Sequence, residues 1–238
     1  MNRNRKTAII VGVLFITATV ASVLGTLFSK PILDATDYLI KISANENRIA
    51  IGALLKFIAA AASAGIAISL YPILKKYNQG LALGSVGFRI IEGMLGIVGV
   101  ICLLLLTTLS REFVKAGAPD SSYFQTSGVL IVAVRDWMGN VAGLLAFGLG
   151  ALMYYYIFFQ TKLVPRWLSG WGLIGIILII VISMLVMFRV IAPMSTTQIV
   201  LAVPIAVQEM VLAVWLIVKG FNPSVIASGS GKTDANQV

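Results

Sequence analysis

Apolar residues along this chain come in six blocks separated by short polar stretches, at 7–29, 49–74, 81–109, 128–159, 168–190 and 198–218. None alternates with the period of two expected of a half-buried strand, and each has the length of a helix that crosses a hydrocarbon core about 30 Å thick. The pattern predicts an all-α integral membrane protein. Its six transmembrane helices form one bundle over 1–222, followed by a flexible polar tail at 223–238 that is rich in glycine and serine. The fourth block, at about 32 residues, is too long to cross untilted. The first follows a basic MNRNRK start and has small residues near 21–25, as a signal peptide would. Its length exceeds the usual h-region, and a retained helix is the better reading.

Composition narrows the function classes. Of 238 residues, 59% are hydrophobic and 11% charged, whereas soluble domains carry about 25% charged residues. A soluble enzyme, a nucleic-acid binder and a disordered chain are poor readings. The chain has no histidine and one cysteine, Cys102 in an apolar block. Imidazole haem ligation, a Ser-His pair, a histidine zinc site and an intrachain disulfide are therefore excluded, and neither a cofactor nor a metal is expected.

The net charge of +9 gains meaning once the charges are sorted by block. With both ends inside, the inner segments hold nine basic residues (Arg3, Arg5, Lys6, Lys75, Lys76, Lys162, Arg166, Lys219, Lys232) and the outer ones six (Lys30, Lys41, Arg48, Arg111, Lys115, Arg189). The positive-inside bias thus predicts cytoplasmic N- and C-termini. Trp167 and Trp171 flank the start of the fifth block, and Tyr71 and Tyr77 bracket the inner end of the second, where headgroup anchors belong.

Six ionisable residues remain inside the blocks: Lys56, Arg89, Glu92, Arg135, Asp136 and Glu209. Each would cost on the order of 3 kcal/mol facing lipid alone, so each needs a partner or a wet cavity. At about 1.5 Å per residue, Glu92 and Glu209 lie close to mid-membrane. Arg89 and Glu92 are three apart and can pair along one face, beside small Gly93, Gly96 and Gly99. Asp136, Asn140 and Gly143 make one stripe, and Lys56, Ala60 and Ser63 another. Pro204 lacks an N–H and leaves the Val200 carbonyl free, just before Gln208 and Glu209, which predicts a helix kink. These residues (Lys56, Arg89, Glu92, Arg135, Asp136, Asn140, Gln208 and Glu209) are the candidate polar cluster. They would line a pocket between spans two, three, four and six, with the fifth span outside against lipid. The alternative is a set of interhelical ion pairs that only fixes packing. The tail segment SGSGKTD suggests a phosphate loop, but the required first glycine is Ile226, and no strand precedes it.

The block around Arg89 (RIIEGMLGIVG), the early GVLFITATVASVLG and the run of Pro204, Gln208, Glu209, Trp215, Gly220 and Phe221 carry a resemblance over about 7–222. The chain resembles the prokaryotic membrane family called domain of unknown function 4386. That family has no agreed activity, so the resemblance implies an architecture and a prokaryotic cytoplasmic membrane, and no chemistry.

The leading functional expectation is a non-enzymatic multi-pass membrane protein that binds a small or amphipathic ligand in an intramembrane polar pocket, as a transporter, receptor or sensor component. A membrane enzyme acting on a lipid, with Glu92, Asp136 or Glu209 as acid or base, is the second reading. A structural or assembly subunit whose charges meet a membrane-protein partner is the third. Membrane lipids are expected partners, and nucleic acid is not.

Overall fold

The structure is a computed structural model that describes residues 2–118 and 122–226. Its helices are α1 (Arg3–Leu33), α2 (Tyr38–Ala44), α3 (Glu46–Leu74), α4 (Gln79–Lys115), α5 (Ser122–Trp137), α6 (Leu144–Thr161), α7 (Arg166–Met187) and α8 (Thr196–Val218). A six-residue π-helical stretch, Met138–Gly143, joins α5 to α6 into one span. Six helical segments are long and apolar enough to cross a membrane: α1, α3, α4, the joined α5–α6, α7 and α8.

The spans are arranged as a ring in chain order. Each packs on its sequence neighbours, and α8 closes the ring against α1. Lipid and helix surfaces are equally apolar, so small residues that let backbones approach must supply the packing. A β-carbon on Gly25 would stand 3.0 Å from the Gly52 carbonyl oxygen, and one on Gly12 would stand 2.7 Å from the Ala213 carbonyl oxygen. Side chains at those positions would force α1 away from α3 and α8.

The helices outrun the hydropathy blocks at most ends. At about 1.5 Å per residue, the 37 residues of α4 reach about 55 Å, well past the hydrocarbon. Its far end is held outside the core, where Ser110 donates to the Leu39 carbonyl and Arg111 pairs with Glu46. The fifth block overshoots its helix. Here α7 stops at Met187, and Arg189 takes a left-handed conformation (φ 59°) that lets Val190 N–H reach back to the Leu185 carbonyl at 2.8 Å. The short helix α2 has no counterpart among the six blocks.

The fifth span is also not the lipid-facing outsider that its lack of charge suggested. It packs on α6 and α8, and Gly172, Gly175, Ile176, Ile179, Ile182, Ser183 and Val186 are buried along one face. Hydropathy reports the mean of a helix, and α7 is the most apolar of the six spans. The mean cannot tell a lipid-facing side chain from one that fits a neighbour.

The first and last described segments lie at one end of the ring. Arg5 donates to the carbonyls of Leu216, Ile217 and Val218 at 3.2, 2.6 and 3.1 Å, satisfying carbonyls that the end of α8 leaves open. Tyr77 donates to the Val225 carbonyl at 3.0 Å, and Asn222 N–H to that of Leu163 at 2.9 Å. Residues 223–226 of the expected tail are helical. The remainder, with Lys232 and SGSGKTD, lies outside the described residues, as does Asp120.

Candidate functional site

The six intramembrane charges and their polar neighbours fall into three groups. The first joins α4, α6 and α8. Arg89 is 2% exposed, and its Nη1 lies 2.9 Å from Glu92 Oε2. The contact lacks hydrogen-bond alignment, and Arg89 Nε also finds no hydrogen-bond partner among the described residues. The guanidinium lies over the Phe147 ring, 4.8 Å from its centroid, and its stem packs where Gly150 leaves room. Glu209, from α8, lies within electrostatic range of both Arg89 and Glu92. Its Oε1 is enclosed without a hydrogen-bond partner among the described residues, and the Tyr154 hydroxyl is enclosed with only the Tyr155 hydroxyl to turn to.

Beside this group, Tyr155 donates to Gln208 Oε1 at 2.5 Å, and Gln208 Nε2 donates to the Leu168 carbonyl at 3.0 Å. Gln208 is fully buried, and both ends of its amide are engaged. It joins α8 to α6 and α7 as a packing element, whereas Glu209, the next residue, keeps unused capacity.

The second group joins α1, α3 and α5. Lys56 Nζ donates to Thr26 Oγ1 at 2.6 Å and Ser22 Oγ at 3.4 Å, and Arg135 lies within electrostatic range. Arg135 in turn donates to Asp136 Oδ1 through Nε at 3.0 Å and Nη2 at 2.8 Å. The third group is small. Gln198 donates to Asn140 Oδ1 at 3.0 Å and accepts from Met194 N–H at 2.5 Å, tying the π-helical stretch to the start of α8.

Helical periodicity shows which way these residues point. On α8, Ile205, Gln208, Leu212 and Leu216 are buried, and Glu209 lies on the same stripe yet keeps part of its surface. On α1 the stripe of Ala8, Val11 and Phe15 is buried, while its continuation through Thr19, Ser22 and Thr26 is only partly so. This face of α1 is filled by apolar side chains near Arg5 and by incompletely packed polar ones farther along. Two surface grooves of about 300 and 400 Å³, one between α4 and α5 at Leu105, Tyr123 and Phe124, the other around Ser43–Arg48, lie at the opposite end and do not reach Arg89.

The residues picked from the sequence are therefore distributed over three neighbouring places. Arg89, Glu92, Gln208 and Glu209 share one, Lys56, Arg135 and Asp136 a second, and Asn140 a third. Sequence reasoning missed Tyr154, Tyr155 and Phe147, because aromatic residues in an apolar run read as packing. It missed Thr26, Ser22 and Gln198 because hydroxyls and amides in a span carry no charge. Pro204 lies inside a continuous α8, five residues before Glu209.

No curated protein and no solved structure matches the chain. A family model does, over residues 10–220, and its description is domain of unknown function (DUF4386). The match runs from within the first span to just past the sixth and takes in every residue of the three polar groups, and on that ground the chain belongs to this family of membrane-spanning helical proteins.

Proposed function

We propose that the protein sits in a prokaryotic cytoplasmic membrane with both ends inside and binds a small or amphipathic ligand within its ring, as a transporter, receptor or sensor component. One observation carries this reading. Arg89 Nε and Glu209 Oε1 come from two different spans, are enclosed, and have no hydrogen-bond partner among the described residues; the Tyr154 hydroxyl, from a third span and within electrostatic range of both, is enclosed with only the Tyr155 hydroxyl to turn to. A buried polar atom left unpaired costs about 1–3 kcal/mol, so a site with both donors and acceptors in that state is suited to a polar guest.

The scaffold reading has less support. Arg89–Glu92 and Arg135–Asp136 are each formed within one helix, so neither pair ties neighbouring spans together. Asp136, one of three carboxylates considered for an enzyme, is already engaged by Arg135. The test is native mass spectrometry of protein extracted from its own membrane, alongside Glu92→Gln and Glu209→Gln. A bound small molecule or lipid in the parent, lost in either variant, is the expected result. Parent protein that is empty, or a ligand retained equally by both variants, would overturn the proposal.

A further inference from the structure

The six interior charges sum to zero over the whole chain but not within each group. Arg89, Glu92 and Glu209 sum to −1, and Lys56, Arg135 and Asp136 to +1. The second sum has a definite structural origin. Asp136 is committed to Arg135 by two hydrogen bonds to one oxygen. Lys56 has no carboxylate within ion-pair distance among the described residues, and its two recorded partners are hydroxyls. The Thr26 hydroxyl gives its own proton to the Ser22 carbonyl at 3.0 Å. These oxygens can solvate an ammonium but cannot neutralise it. The charged neighbour that Lys56 does face, Arg135, has the same sign.

Nor can Lys56 escape to a membrane surface. It stands ten residues into α3, about 15 Å along the helix. Its stem is held against Gly25, where a β-carbon would approach Lys56 Cγ to 3.0 Å. The amine is held at depth by the Thr26 and Ser22 hydroxyls, within electrostatic range of a second cation, Arg135, and Ser22, Thr26, Arg135 and Asp136 all keep part of their surface. Two cations within electrostatic range and one carboxylate, itself bonded to Arg135, leave one positive charge at depth, and an anion would compensate it.

We propose that Lys56 and Arg135, with the Thr26 and Ser22 hydroxyls, bind one small monoanion, a halide or a small carboxylate, between the first, second and fourth spans. The single uncompensated charge sets the valence. This site shares no residue with the Arg89 group, so the two can fail separately.

The test uses the full chain in neutral-lipid nanodiscs and measures line broadening of the chloride NMR signal. The parent is expected to give saturable excess broadening that nitrate and acetate each compete away. Lys56→Met is expected to weaken chloride by at least about tenfold, which is 1.4 kcal/mol, and Lys56→Arg to retain it within about threefold. Thr26→Val, which removes only a hydroxyl, is expected to weaken it by about threefold and keeps the test open if Lys56→Met does not fold. Lys75→Met, at an exposed position, is expected to bind like the parent. Parent protein without saturable broadening would overturn the site. So would unchanged binding in Lys56→Met or, failing that variant, in Thr26→Val.

Discussion

The end of the ring where Arg5 meets the close of α8 and the end opposite are held together by different means. Toward the first end, Phe15, Leu70, Tyr154, Tyr155, Phe158, Leu168, Leu212 and Leu216 belong to one continuous buried cluster that draws on all six spans and extends along α7 to Ile182. Tyr154 packs edge-on to Phe15, and Phe158 meets Phe221 from beyond α8. A second, smaller buried cluster at the opposite end consists of Ile32, Ile42, Ile49, Ala53, Leu103 and Leu106, from α1 to α4. Polar links complete it, among them Arg111 with Glu46, Lys41 with Asp37 and Ser110 with the Leu39 carbonyl. The difference teaches where a guest could enter. Packed interiors resist rearrangement, and elements held by few buried contacts open at lower cost. The partly filled inward face of α1, from Thr19 to Thr26, lies on the side of the sparser end.

The largest expected effect tests that contrast directly. Tyr155→Ala removes a fully buried ring tilted against Tyr154, 4.6 Å between centroids, and packed where Gly172 makes room. It should destabilise the bundle by about 3–4 kcal/mol, the range for large aromatic deletions. Leu106→Ala, fully buried in the smaller cluster, should cost about 2 kcal/mol, because fewer fixed neighbours leave the site freer to collapse. Steric-trapping measurements of unfolding in bicelles would compare the two. A Leu106→Ala cost equal to that of Tyr155→Ala would break the distinction between the ends.

An intermediate effect is expected from the polar link inside the packed end. Gln208→Leu leaves the Tyr155 hydroxyl and the Leu168 carbonyl without their partner, and interhelical hydrogen bonds in membranes average about 0.6 kcal/mol. A double-mutant cycle of Gln208→Leu with Tyr155→Phe should return a coupling of about 0.5–1 kcal/mol. A coupling near zero would mean that Gln208 holds α8 to α7 through the Leu168 carbonyl alone.

The bundle could be read from the sequence because membrane insertion leaves a strong and simple record. Blocks long enough to span, with basic residues at their edges, admit few other folds. The ring order needed more. It depends on Gly12 against Ala213 and on Gly25 against Gly52, and glycine in a hydrophobic run gives no indication of which helix approaches it. Of the site, the charges were legible, since a charge in a span demands an explanation. Arg89–Glu92 was legible as well, because i,i+3 spacing fixes it within one helix. The separation into a negative and a positive group was not. It depends on Lys56 turning to Thr26 and Ser22 on α1, a relation between helices that no local spacing encodes. The π-helical stretch was hidden for a related reason. Gly139, Asn140 and Gly143 permit it, but its link to Gln198 on α8 is tertiary.

The smallest expected effect belongs to the sparse end and depends on pH. Asp37, in the connection before α2, lies 3.0 Å from the Lys41 amine, one turn on. The hydrogen bond from Lys41, foremost, holds its carboxyl below the ordinary aspartate value of 3.8. A carboxyl whose folded value is depressed contributes stability above its unfolded value and loses it as pH falls through the folded one. Corrected amide exchange in α2 should therefore stay level from about pH 8 to pH 5 and rise only below about pH 4. Both groups are well exposed to solvent, so the change should be confined to α2 and be weakened by salt. Asp37→Asn should remove the dependence and leave amides around Tyr155 untouched. Loss of α2 protection already between pH 7 and pH 5 would instead assign control of this end to a group with a higher titration point than Asp37, and the polar links at this end would need to be reassigned.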